Sequence, residues 1–125
     1  MSNILNMLKD IRKDLEYTKD LFENQEILYR DQLHIGIEAL HALENLSSAP
    51  LACLEAQIAI SQAQNGLLEL TLTMKFFSKY ASNVRSENRI QAKERIKMHV
   101  EIRDAIANKI RRINEAIAQI EDGEG

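Results

Sequence analysis

Residues 53–84 read CLEAQIAISQAQNGLLELTLTMKFFSKYASNV, and the fold is decided there. One stripe runs through the stretch with spacings of three and four: Cys53, Ala56, Ile60, Ala63, Leu67, Leu70, Met74, Phe77, Ala81 and Val84. Every member is apolar, and that spacing is the seam one helix presents to another in coiled-coil-like packing. Between Leu51 and Met74 the only charged residues are Glu55 and Glu69. A second stripe (Leu51, Leu54, Ile58, Ser61, Asn65, Leu68, Leu72) lies beside the first. A helix that is apolar or neutral most of the way round is normally a buried one. This stretch is therefore expected to be the central helix of a bundle, covered on more than one side.

Outward from it, two helices are expected as cover. The earlier one carries Ile4, Leu8, Ile11, Leu15, Thr18, Phe22, Gln25, Tyr29, Gln32, Gly36, Ala39, Leu43 and Leu46 on one seam, with no proline to interrupt it. A continuous helix over about 3–46 would be about 65 Å long, so the molecule is expected to be a rod. From Leu21 onward a second stripe joins the seam (Leu21, Leu28, Ile35, Ala42), so the later half faces more than one neighbour. Thr18, Gln25 and Gln32 make the middle of the seam polar, a device that often sets register or partner number. Gly36, lacking a side chain, permits close helix approach.

Asn45 to Pro50 is the clearest break: Ser47 or Ser48 can cap the next helix, and Pro50 suits its first turn. So short a loop reverses the chain. The second helix is expected over about 50–82. Asn65-Gly66 is its weak point, being a turn-forming dipeptide, but the stripe keeps phase through it and favours one helix. A second reversal falls in Ser82 to Asn88, the alternative being one very long helix paired with another subunit. The third helix, about 87–121, carries Ala92, Ile96, His99, Arg103, Ile106, Ile110, Ile113, Ile117 and Ile120 on its seam. The tail from Glu121 to Gly125 is expected to fray.

The fold class that follows is all-α: an elongated antiparallel bundle of about three long helices in one domain spanning 1–125. A chain of 125 residues with one proline and four glycines is large enough for a core without disulfides or metals. The single Cys53 cannot form an intramolecular disulfide and reads as a small core residue of a reducing compartment. There is no basic-then-apolar leader pattern and no apolar run near the roughly 20 residues a membrane span needs. A cytoplasmic protein with no membrane partner is expected.

The formal net charge of −3 hides a segregation. Residues 1–69 hold five basic and eleven acidic side chains, residues 70–112 eleven basic and four acidic, and residues 113–125 four acidic ones. Arg85, Arg89, Lys93 and Lys97 form an i, i+4 row that Arg95 and Arg103 extend, followed by Lys109, Arg111 and Arg112. Such a row is the best pointer to an anionic partner such as nucleic acid. Against it, Glu87, Glu94 and Glu101 run along the same helix, the acid-rich first helix is its expected neighbour, and the row lacks aromatic residues on which bases stack.

Other constellations carry less. His34, Glu38 and His41 lie at i, i+4 and i+7 and could touch one transition metal, but they point away from the seam, and one helix supplies only a partial ligand set. Glu38-x-x-His41 is half of a carboxylate-bridged di-iron signature whose second Glu-x-x-His is missing. Glu23-x-x-Glu26 and Glu101-x-x-Asp104 resemble the paired acidic motifs with which all-helical nucleotide pyrophosphatases hold magnesium. The resemblance covers those four positions alone, and their separation is much too long for that pattern. With no glycine-rich phosphate loop, nucleophile elbow or zinc-type spacing, no enzyme and no cofactor is expected. The function expected is a small accessory protein that binds other proteins: an adaptor, a chaperone-like binder or an inhibitor docked on a larger complex. Nucleic-acid binding through Arg85, Arg89, Lys93, Arg95, Lys97 and Arg103 is the alternative. The apolar faces exceed what three rods need among themselves, so a homodimer is expected. The residues for self-association are Leu28, Ile35, Leu67, Leu70, Met74, Phe77, Ile106, Ile110, Ile113 and Ile117.

Overall fold

The computed structural model describes residues 2–24, 30–47, 53–81 and 89–124, and within these all side chains except those of residues 2, 30, 78–81, 89–95 and 124. Among the described residues every regular element is a helix: α1 (Ser2–Glu23), α2 (Arg30–Glu44), α3 (Leu54–Gln64), α4 (Leu67–Ala81) and α5 (Arg89–Glu124). No helix is long and apolar enough to cross a membrane among these residues.

The seams named above supply most of the core, Ile96 of the third seam being exposed instead. Leu8, Ile11, Leu15, Thr18 and Phe22 are buried in α1, and Leu33, Ala39, Leu40 and Leu43 in α2. Ala56, Ile60, Ala63, Leu67, Leu70, Met74 and Phe77 are buried along α3 and α4, and Ile106, Ile110, Ile113, Ile117 and Ile120 along α5. The stripe of residues 53–84 is thus the inward face wherever its side chains are described.

The lengths of two helices differ from expectation. The run 3–46 is two helices, α1 and α2, packed on each other, with Thr18 of α1 meeting Gly36 of α2. In one continuous helix those residues would stand about 27 Å apart. A straight rod would leave the apolar faces of both halves in water, whereas doubling back lets Phe22 and Leu33 enter one core. Packing of apolar faces, more than local propensity, sets helix extent in proteins. The run 50–82 is likewise broken, at Asn65-Gly66. Gly66 adopts φ +72, a left-handed conformation that glycine takes at no steric cost. The phase of the stripe survives the break because two residues of turn restore the same inward face. At the other end, α5 remains helical through Glu124 where the tail was expected to fray. The proposed caps Ser48 and Pro50 and the reversal at 82–88 lie outside the described residues.

α5, about 54 Å long, is the spine. Along it Lys9 pairs with Glu121 (3.2 Å), Arg12 donates to Asn114 (3.0 Å), and Phe22 meets His99. α3 packs against α5 and α4 against α2. Phe22, Phe77 and His99 meet edge to face with ring centroids 5.0–5.7 Å apart, tying α1, α4 and α5 at one level.

Two side chains hold the helix ends. Gln64 Nε2 donates to the carbonyls of Leu43 (2.9 Å) and Leu46 (2.8 Å), satisfying acceptors that the end of α2 leaves open. Lys109 Nζ donates to the carbonyl of Asn65 in the α3–α4 turn.

The Gly36 contact generates a prediction. A methyl group there would stand 2.6 Å from Thr18 Oγ1, 2.7 Å from Thr18 Cγ2 and 2.9 Å from Met74 Cε. Both branches of Thr18 are in the way, so no rotation of that side chain clears the space. Gly36→Ala is expected to lower unfolding stability by about 1–2 kcal/mol, overpacking outweighing the propensity gain of about 1 kcal/mol. In a Thr18→Ala background the same change should be neutral or stabilising. Urea denaturation of the four proteins measures the coupling, and an equal loss in both backgrounds excludes this contact as the cause.

Candidate interaction surface

Beside the buried stripe on α3 and α4, the second stripe faces water. Leu54 is 63% exposed, Ile58 47%, Leu68 67% and Leu72 55%, and Phe76, next in phase, is 60% exposed. On α3, Leu54 and Ile58 lie opposite Ala56, Ala59, Ile60 and Ala63; on α4, Leu68, Leu72 and Phe76 lie opposite Leu67, Leu70 and Met74. The expectation that this stretch is covered on more than one side is not met within the chain, because α5 and α2 pack on its inner face. The three on α4, with about 100 Å² showing apiece, make roughly 300 Å², within the range of the largest apolar patch on a monomer.

Beside this row, α4 and α5 diverge and leave a groove of about 320 Å³. Leu70, Met98, Ile102 and Ala105 line it, with Glu69 and Glu101 also at its walls and Lys109 within it. Lys109 is buried. Burial, and secondarily the positive charge of Arg112, holds its amine below the ordinary lysine value of 10.5. Sequence reasoning missed the roles of Lys109 and Gln64. Lys109 lies between Ile106 and Ile110, a position that hinted at burial, but no local pattern announces that either side chain reaches a distant carbonyl.

The basic row is placed in part. Arg103 donates to Asp104 (3.0 Å), and Arg111 and Arg112 reach Glu115 at 3.8 and 3.1 Å. Arg111 also donates to Asn108 (2.8 Å). These cations are engaged on their own helix, while Lys97 is exposed. Arg85 and the side chains of Arg89, Lys93 and Arg95 lie outside the described residues. The candidate metal residues diverge: His34 Nε2 stands 3.5 Å from Glu38, whereas His41 Nδ1 faces Glu44 at 3.8 Å. Among the described residues no three histidine, cysteine or acidic side chains are grouped to hold a metal ion. Of the acidic pairs, Glu26 is undescribed, and Glu101 and Asp104 are exposed.

Eight of the ten residues expected to serve self-association have buried side chains. Leu67, Leu70, Met74, Phe77, Ile106, Ile110, Ile113 and Ile117 are buried in the chain's own core. Ile35 is 39% exposed, and Leu28 lies outside the described residues. Among the described residues the most exposed large apolar side chains are those of the second stripe and Phe76, with Met7, Tyr17, Ile35 and Ile96 exposed elsewhere. No family model, curated protein or solved structure matches this chain.

Lys109 generates a pH prediction. Its amine has a lowered pKa in the folded chain and an ordinary one unfolded, so in the window below 10.5 the unfolded chain binds more protons. Stability contributed by this group therefore rises as pH climbs toward 10.5. The stability difference between the parent and Lys109→Met is expected to shift in favour of the parent from neutral pH to that value. A difference that stays flat across the range would mean the amine is not depressed.

Proposed function

We propose that this chain is a non-enzymatic protein–protein interaction module, an adaptor, chaperone-like binder or inhibitor of a larger complex, acting through a helical surface. The observation that carries this reading is the apolar row Leu54, Ile58, Leu68, Leu72 and Phe76, exposed on a chain whose core is already filled by the adjoining stripe. Contiguous exposed apolar patches of a few hundred Å² often mark interaction sites. The scaffold we infer is an antiparallel bundle. The pairings Lys9–Glu121, Arg12–Asn114 and Lys109–Asn65 support opposed directions for α5 and its neighbours.

Nucleic-acid binding is the rival. It is disfavoured by the engagement of Arg103, Arg111 and Arg112 with acidic neighbours, although exposed pairs of this kind are individually weak.

A photo-crosslinking residue at Leu72 separates the two. In cells it is expected to give discrete protein adducts, while the same residue at Ala118, exposed on α5, gives none. Adducts at neither position overturn the module. Retention of DNA or RNA on a filter at low salt, falling steeply as salt rises, would replace it with the rival.

A further inference from the structure

We infer that the α4–α5 groove binds a small linear amino acid whose ammonium and carboxylate stand at opposite ends of an aliphatic chain. The inference goes beyond the interaction-module reading and does not depend on it. The groove holds three charges that the described residues leave unanswered. Lys109 is 6% exposed, yet among the described residues the carbonyl of Asn65 is its one hydrogen-bond partner and no acidic side chain pairs with it. An ammonium carries three donors, and a buried cation without a counter-charge is costly. Burial and the neighbouring Arg112 both press the amine down, and no carboxylate raises it. Glu69 on the α4 wall and Glu101 on the α5 wall are exposed. Among the described residues no ion pair or side-chain hydrogen bond engages either of them.

The spacing of these charges selects the ligand. Lys109 bonds the α3–α4 turn, and Arg112 adds positive charge beside it. Glu101 lies eight residues earlier on α5, about 12 Å along the axis. Side chains on one helix lean the same way along it, so the two charges keep about that separation. A charge-assisted hydrogen bond of about 2.8 Å at each end leaves about 6–7 Å between the ligand's own charges. A chain of four or five methylenes bridges such a gap, whereas the adjacent charges of an α-amino acid do not. Ile102 and Ala105, between Glu101 and Lys109 in sequence, and Leu70 on α4 supply apolar surface for the methylenes. A plain carboxylate would leave both glutamates unanswered, and a diamine would bring a second cation to Lys109. The volume of about 320 Å³ is at the small end for ligand pockets, which suits a molecule of this size rather than a partner helix.

Calorimetric titration of the full chain with 6-aminohexanoate tests the inference. The comparators are its isomer 2-aminohexanoate, hexanoate and 1,6-diaminohexane. One saturable site is expected for 6-aminohexanoate, with a millimolar or tighter Kd, and each comparator is expected to bind at least about tenfold more weakly. Lys109→Met should abolish the binding. Because Lys109 also holds the α3–α4 turn, the exposed pair Glu69→Gln/Glu101→Gln supplies a second test. That variant is expected to keep its helical circular dichroism, to bind 6-aminohexanoate at least about threefold more weakly and to bind hexanoate no more weakly than the parent does. Absence of saturable binding of 6-aminohexanoate up to about 20 mM overturns the inference. So does equal or tighter binding of any comparator, or a double variant whose affinity for 6-aminohexanoate is unchanged.

Discussion

The close approach at Gly36 is the constraint on which the other contacts depend. With hydrogen in place of a side chain, α2 comes near enough to α1 for Thr18 to lie against its backbone, and Met74 of α4 reaches the same spot. Thr18 makes the contact possible in a second way, since its hydroxyl donates to the carbonyl of Asp14 at 2.8 Å and needs no other partner in the buried layer. Once α1, α2 and α4 are set, Phe22 and Phe77 lie one turn further along and close on the ring of His99. Those edge-to-face contacts are favourable beyond the area they bury, and they register α5 against the rest.

The inward faces were legible because they are periodic. Ala56 through Phe77 and Ile106 through Ile120 are buried as their spacing implies. What the periodicity could not give was where each helix stops. The seam of residues 3–46 continues in phase across Gln25 and Gln32 whether the chain runs straight or doubles back, so the pattern is silent on the difference. The polar middle of that seam, read as a device for register, gave no sign that Thr18 and Gly36 would meet. Asn65-Gly66 carried its turn chemistry openly, and phase continuity argued the other way; both hold, because a short turn can rejoin two helices in phase. Which of the two stripes on that stretch would face water depended on the position of α2 and α5, a tertiary fact that no local pattern contains.

The charge segregation along the chain resolves in part into local pairs. Arg103, Arg111 and Arg112 face acidic residues of their own helix, and contacts between α1 and α5 join Lys9 to Glu121 near the ends of the two helices. The α5 cation withdrawn from water, Lys109, is spent on a backbone carbonyl. Among the described residues these members of the positively charged stretch are met by acidic side chains of their own helix, while Lys97 stands exposed.

The pairing of α1 with α5 also orders events in time. Lys9 and Glu121 are more than a hundred residues apart in sequence yet in contact, a long loop to close for an all-helical chain. During synthesis α1 emerges well before α5, the partner for much of its apolar seam. Until then Leu8, Ile11 and Leu15 have only the intervening helices to lean on, and a nascent chain with such a seam exposed is prone to association. The spine that organises the finished molecule is thus the element it must wait for.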